Sequence, residues 1–274
     1  MPVTRESCLS APGTGQVRLH EWAVDVGATK VLLGRQAGGK VRVSARIQTP
    51  PEPDALIPWL RGQLPGLVPS LGMAFAGGIG MDGRVSGWPK QPGWSGFPLR
   101  AALGKVAGAI TVVDDGAAAA VGEARLGVGQ ERRDLLVAVF GTGLGGAVVI
   151  DHQVRPVAAG DPRTLGHLRI FSGGACACGG TGCAQLALRT LPPEDRLGKA
   201  LEGWPDGLRL VGFLGDLARF LGVGSVVLTG GLLQRPVLRK HLTARLAASG
   251  IEALVPADPS SSSLLGACVQ ADAA

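Results

Sequence analysis

Leu135–Ile150 reads LLVAVFGTGLGGAVVI: an apolar run, a turn made of Gly141-Thr142-Gly143-Leu144-Gly145-Gly146, and a second apolar run. Val, Leu and Ala on both sides of a glycine turn fit two buried strands joined by a tight hairpin, and the amides of so bare a turn are free to face a ligand. The same design occurs earlier. Trp22–Leu33 (WAVDVGATKVLL) is an apolar run interrupted by Asp25, Gly27 and Thr29. Each unit is followed by another short strand or loop, 41–47 after the first and 153–157 after the second. The chain therefore reads as a duplicated sheet unit, one copy in each of two lobes.

Working outward, 71–76 and 109–113 read as strands and 115–125 as an alanine-rich helix suited to close packing. Asp114 or Asp115 stands at its entrance, where a carboxylate caps free amides and meets the favourable end of the helix dipole. Further on, 192–198, 208–221, 233–248 and 262–271 read as helical, with strands at 225–228 and 251–255 and a turn at Gly230-Gly231. Alternating strands and helices give an α/β layer fold.

The bulk properties narrow the function classes. A chain of 274 residues calls for one large domain or two lobes around a cleft. With 46% apolar residues and 44 glycines, disorder and coiled coil are excluded. Tyr is absent and Phe and Trp number only 6 and 5, so base stacking on nucleic acid has little material. The formal charge of +6 reads as a solvated surface, with a basic cleft for an anionic ligand as the functional alternative. The charge-free stretch 62–81 carries Pro65 and Pro69 and reads as loop plus strand, not as a membrane span. Residues 1–20 have no apolar core of a secretory signal and are expected to form a frayed tail on a cytoplasmic protein.

Four clusters carry chemistry. Asp25-Val26-Gly27-Ala28-Thr29 combines a tight turn that lets amides approach a phosphate with an aspartate able to hold hydrated magnesium; an ordinary hairpin is the alternative. Gly141–Gly146 lies open to an anionic ligand, but lacks the lysine of a P-loop and the helix that follows a dinucleotide fingerprint. A structural bulge would also explain it. Asp114-Asp115 offers a general base for a hydroxyl, or helix capping alone. The most specific cluster is His167 with Cys176, Cys178 and Cys183, set among glycines at 173, 174, 179, 180 and 182. One imidazole and three thiolates complete a tetrahedral zinc shell, and four protein ligands leave no open position for catalysis.

Together these pieces resemble the ROK family of the actin, sugar kinase and Hsp70 superfamily, from about Trp22 to Ala267. Gly166-His167 with Cys-x-Cys-Gly-x-x-Gly-Cys at 176–183 is similar to the family's zinc signature. Asp25-x-Gly-x-Thr29 and 141–146 resemble its two phosphate motifs, Thr229-Gly230-Gly231 its adenosine motif, and Pro92-Gly93-Trp94 the segment ahead of its sugar site. Asp115-x-x-Ala-Ala-Ala-x-Gly-Glu123 resembles the helix bearing the catalytic aspartate.

The resemblance implies a two-lobed actin-like ATPase (ribonuclease H-like) fold with a duplicated mixed β-sheet core and an interlobe cleft. It implies a small lobe over 21–114, a large lobe over 115–261 with the zinc loop 167–183, and a C-terminal helix 262–274 packing back on the small lobe. ATP with Mg2+ would meet Asp25, Gly27, Thr29, Lys30, Gly141, Thr142, Gly143, Gly145, Gly230 and Gly231. Asp115 would be the base, and Asp114, Asp115, Thr164, His167 and Gln185 would face a hexose or related sugar. Zinc would be structural. No nucleic acid or membrane partner is implied, and a homodimer is, since dimers are common in the family. The chain departs from the family at the sugar: Asp114 stands for Asn, Thr164 and Gln185 for Glu. A glutamate accepts two sugar hydroxyls in charge-assisted bonds, which Thr and Gln cannot match. A sugar- or nucleotide-binding protein with weak or no kinase activity is therefore the competing expectation.

Overall fold

Side chains along Leu135–Phe140 point alternately to the two faces of a sheet, and both faces are buried: Leu135 and Val137 look one way, Leu136, Ala138 and Phe140 the other. A strand apolar on both sides needs a layer on each side. The computed structural model describes residues 18–37, 40–155 and 164–269. Its first half runs β1 (Trp22–Val26), β2 (Lys30–Ala37), β3 (Lys40–Gln48), α1 (Leu56–Gln63), β4 (Val68–Phe75), β5 (Gly78–Ile79), β6 (Val85–Gly87), α2 (Leu99–Leu103) and β7 (Ala107–Asp114). The second runs α3 (Asp115–Arg125), β8 (Leu135–Phe140), β9 (Leu144–Ile150), β10 (Gln153–Arg155), α4 (Leu197–Ala200), α5 (Pro205–Phe220), β11 (Ser225–Thr229), α6 (Pro236–Ala248), β12 (Glu252–Leu254) and α7 (Ser262–Ala267).

The duplication is literal. One five-stranded sheet has the order β3-β2-β1-β4-β7 and the other β10-β9-β8-β11-β12. In each, the first three strands pair antiparallel through hairpins and the last two join parallel through helical crossovers. Helices α1 and α2 cover the outer face of the first sheet, and α5 and α6 that of the second. Between the sheets lie α3 and α7. Ala119, Ala120 and Ala124 of α3 pack on Leu135, Val137 and Val149, while Ala118, Leu264 and Ala267 pack on Ala23, Leu32 and Ala74.

That middle layer is thin because its contacts are backbone to backbone. A Cβ at Gly266 would lie 1.6 Å from the Ala118 carbonyl oxygen, and one at Gly72 of β4 would lie 1.7 Å from that of Ala267. Glycine at both positions lets α7 touch α3 on one side and β4 on the other. Ser263 Oγ donates to the Asp115 carbonyl (3.0 Å), which holds the first turn of α3 in place.

Several element ends differ from expectation. The helix expected from 233 begins at Pro236, a residue that opens helices readily, after a 3-10 turn over Gly231–Gln234. The helix expected over 192–198 is a 3-10 turn, Glu194–Arg196, followed by α4. The last helix stops at Ala267, and Val269 bridges to Leu19, while His20 N–H donates to Cys268 O (2.7 Å). The frayed tail thus does not extend to residues 19 and 20; residues 1–17, 38–39, 156–163 and 270–274 lie outside the described ones. Among the described residues no helix is long and apolar enough to cross a membrane.

Candidate functional site

The parallel register places Val26 of β1 beside Phe75 of β4, and Phe75 beside Asp114 of β7. Asp25 and the Asp114-Asp115 pair therefore sit at the same carboxyl end of the first sheet, where open α/β sheets bind ligands. Asp114 accepts from Ala117 N–H (3.0 Å) as the N-cap of α3, leaving Asp115 as the first helical residue. The mirror position in the second sheet is the turn after β8. A Cβ at Gly116 would lie 2.6 Å from Gly146 N, and one at Gly145 would lie 4.0 Å from Asp115 Oδ1. The entrance of α3 thus rests against the second glycine turn, while the charge of Asp25 reaches Asp115 from the first.

The electrostatics follow from that crowding. Burial, then repulsion from Asp114 and Asp25, pushes Asp115 up to about 7, against the opposing Gly116 amide and the Lys90 cation. Asp25, buried at 8% exposure, is pushed up to about 7 by burial, with Lys30 acting the other way. A carboxyl near 7 at a helix entrance is matched to taking a proton at neutral pH.

Each turn is braced differently. In the first, Gly27 N–H donates to Lys30 O (3.0 Å), and Thr49 Oγ1 donates to Gly27 O (2.6 Å). Thr29 is exposed, and its carbonyl accepts from Thr49 N–H (3.1 Å). Lys30 also acts on Asp258, in the loop whose Pro259 carbonyl accepts from Gly230 N–H (2.7 Å). In the second, Gly141 N–H donates to Gly143 O (2.9 Å), with Thr142 exposed at the tip. Gly146 has φ 147°, and a Cβ there would lie 2.1 Å from Val137 O, so glycine is required. Gly230, at φ 102°, lies against the Phe140 backbone just ahead of this turn, and Gly231 opens the next 3-10 turn with free space around it.

The cysteine cluster adjoins the second turn. The sulfurs of Cys176, Cys178 and Cys183 and a His167 ring nitrogen all lie within 4.8 Å of one another. Bonds of about 2.3 Å to sulfur and about 2.0 Å to nitrogen at tetrahedral angles set S···S near ~3.8 Å and S···N near ~3.5 Å. Cys178 Sγ and Cys183 Sγ are 3.7 Å apart, and Cys176 Sγ and His167 Nδ1 are 3.6 Å apart. These two separations match what two edges of a tetrahedral zinc shell would require, and are far from a disulfide of about 2.0 Å. Gly179 and Gly182 take positive φ to close the loop. Thr164 caps no helix with its side chain; its carbonyl accepts from His167 N–H (2.8 Å) at the 3-10 turn Leu165–His167, which packs on β9.

Gln185 joins this cluster to the turn. Its Nε2 donates to Cys176 Sγ (2.9 Å), and its Oε1 would be 2.6 Å from a Cβ at Gly143. On the same flank, Lys90 Nζ would be 3.1 Å from that Cβ. Lys90 was not singled out by sequence reasoning. Its signal is a lone cation bracketed by Trp88-Pro89 and Pro92, ahead of a segment already marked as facing the site.

Glu123, which closes the helix motif but has no role of its own in it, is buried at the far end of α3. Short contacts run from Glu123 Oε1 to Ser262 Oγ (2.5 Å), on to Thr229 Oγ1 (2.5 Å), and on to Pro259 O (2.7 Å). Ser262 Oγ donates to Glu123 Oε1 and Val128 N–H donates to Oε2 (3.0 Å), and both bonds oppose the rise in the Glu123 pKa that burial causes. The network ties α3 to the strand that ends at Gly230.

A family model described as the ROK family matches residues 22–190. Kanosamine kinase of Amycolatopsis mediterranei is 34% identical over 174 residues, 62% of this chain and 50% of that protein. Glucokinase of Streptomyces coelicolor is 28% identical over 168 residues, 58% and 53% respectively. The chain thus spans about half the length of the curated relatives it matches. Among solved structures, a ROK family glucokinase from Streptomyces griseus in complex with glucose and AMPPNP superposes with a TM-score of 0.73 at 22% identity, over 92% of this chain and 98% of that one. ROK hexokinase from Thermus thermophilus gives 0.67 at 24% identity, over 90% and 96%. The architecture is the actin-like ATPase fold.

Proposed function

The chain belongs to the ROK family, and from that premise we propose that it is an ATP-dependent kinase of a hexose or related sugar, with Asp115 as general base. The observation that carries this reading is Asp115 itself. It is a carboxyl poised near 7, at a helix entrance resting on one glycine turn and within electrostatic reach of the acid beside the other. Phosphoryl transfer asks mainly for positioning and charge neutralisation, so two sets of backbone amides, a metal-binding acid and one base suffice.

In this reading Gly27, Thr29 and Lys30 on one side and Gly141, Thr142, Gly143 and Gly145 on the other hold the phosphates, with Gly230 and Gly231 toward the adenosine. Asp25 would hold a hydrated magnesium ion, which supplies charge neutralisation at the phosphates. Asp115 orients the acceptor hydroxyl and takes its proton. Asp114, Thr164, His167 and Gln185 face the sugar. His167, Cys176, Cys178 and Cys183 would hold a structural zinc ion that fixes the acceptor loop. Closure of lobes 21–114 and 115–261 excludes water. A cytoplasmic location and a homodimer belong to the same reading.

One observation favours the binding-protein alternative: Gln185 donates one amide N–H to Cys176 Sγ, and its Nε2 also lies 3.4 Å from His167 Nδ1, so the nitrogen end faces the cysteine cluster. A coupled ADP-release assay over a sugar panel that includes glucose and kanosamine separates the two. The kinase reading expects turnover on at least one sugar, abolished by Asp115→Asn. Sugar binding by calorimetry without turnover would establish the alternative.

A further inference from the structure

Lys90 is rooted in one lobe and ends in the other's turn. Its segment is rigid: Pro89 and Pro92 bracket it, Gln91 N–H donates to Trp88 O (2.9 Å), and Trp88 and Trp94 are buried in an aromatic cluster with Phe75. Gln91 Nε2 donates to Ala28 O (2.9 Å), which fastens the segment to the first glycine turn. From that root Nζ reaches the flank of Gly143 in the second turn. Among the described residues Lys90 has no hydrogen bond or ion pair, although Asp115 is near enough for its charge to be felt.

Lys90 is exposed, and its ammonium, without a partner among the described residues, is available to an anion held against the second turn. Its tip lies beside the turn and the Gln185 edge of the acceptor loop, and within electrostatic reach of the base. A donor's terminal phosphoryl group has to lie where base and turn meet, whereas its inner phosphates lie further along the amides.

We propose that Lys90 is a catalytic residue that contacts the terminal phosphoryl group of the nucleotide and stabilises the charge on it during transfer. This rests on the kinase reading above. In the step, the acceptor oxygen bonds to the terminal phosphorus as Asp115 takes its proton. The bond from that phosphorus to the bridging oxygen breaks, and the diphosphate leaves with the electron pair. Lys90 forms and breaks no covalent bond.

The test compares Lys90→Met and Lys90→Arg with the wild type, all checked for unchanged thermal midpoint and zinc content. Calorimetry with Mg·ADP and Mg·AMPPNP reads the contact without turnover. Lys90→Met is expected to weaken AMPPNP about tenfold or more while leaving ADP within about threefold, and Lys90→Arg to recover part of the loss. In the coupled assay, kcat should fall about 10²–10³-fold with acceptor KM within about threefold, as for loss of one charge-stabilising donor. Equal losses for both nucleotides, no loss for either, or a raised acceptor KM at unchanged kcat would overturn the proposal. A wild type that discriminates the nucleotides through Lys90 yet phosphorylates no sugar would sink the kinase activity and the transfer role, leaving only the nucleotide contact. A wild type that binds neither nucleotide would overturn both.

Discussion

The two glycine turns stand on the same strand pairing yet carry charge in opposite ways. The first has its own acid and cation, Asp25 and Lys30, and its Gly27 has room: a Cβ there would meet Lys30 O at 3.4 Å, an ordinary contact. The second has no charged residue. It is squeezed between Val137, Leu165 and Gly116, and takes its charges from elsewhere: Asp115 from the helix resting on it, Lys90 from the segment between β6 and α2. Duplication supplied the scaffold, and the chemistry was divided unevenly across it. A turn packed this tightly can be bare because its neighbours bring the groups to it.

Four experiments break or sharpen that contrast. The largest effect is expected from Asp115→Asn, which removes the base lent to the second turn. A loss of about 10²–10⁴-fold in kcat with folding intact is expected in the coupled assay, and a loss under tenfold would take the second turn out of the chemistry. Next is a matched pair. Gly146→Ala forces a side chain into left-handed backbone against Val137 O and is expected to cost about 3 kcal/mol or more by denaturant unfolding, whereas Gly27→Ala stays within about 1 kcal/mol. Equal costs would erase the distinction between tight and roomy turns. Third, Gln185→Leu removes the amide that donates to Cys176 Sγ. Zinc release to a chromophoric chelator is expected to quicken about 10–100-fold, as for other lost outer-shell partners.

The smallest effect is a pH shift. The acid limb of the rate profile is expected near pH 7 for Asp115, and Asp114→Asn, by removing a repelling carboxylate, should move it to lower pH. Stability has its own sign. Asp25, Asp115 and Glu123 all have folded pKa values above their unfolded ones, so the native state binds more protons between the two values and ligand-free stability falls as pH rises through that window. Glu123→Gln, which removes the titrating carboxyl while keeping a carbonyl acceptor for Ser262, should flatten part of that fall in thermal melts at pH 5 and 8, while Glu123→Ala should lower the midpoint at both.

What was legible in the sequence was local or periodic. Asp114-Asp115-Gly116 announced the start of α3, repeated apolar runs announced both hairpins, and the tight spacing of three cysteines announced the cluster with His167. What was not legible depended on residues far apart meeting. Lys90 is an ordinary lysine until the Trp88–Trp94 segment folds it across to Gly143. Glu123 is the last residue of a helix motif, with no role of its own, until Ser262 and Thr229 arrive. Gln185 read as a sugar contact, and its amide hydrogen bond to Cys176 required knowing which way the side chain turns. The pairing of Leu19 with Val269 spans nearly the described chain, so neither partner carries a local sign of it.

The wedge formed by α7 has a consequence for biogenesis. Ala23, Leu32 and Ala74 belong to strands made before the second sheet, yet the apolar residues that cover them, Leu264 and Ala267, are translated after it. A nascent chain can build its outer helices on the first sheet but must keep the inner face uncovered until α7 leaves the ribosome. The first sheet is thus completed only after the second has been made, so a chain stalled or clipped between them exposes a sticky alanine-lined surface of the kind that chaperones and proteases find.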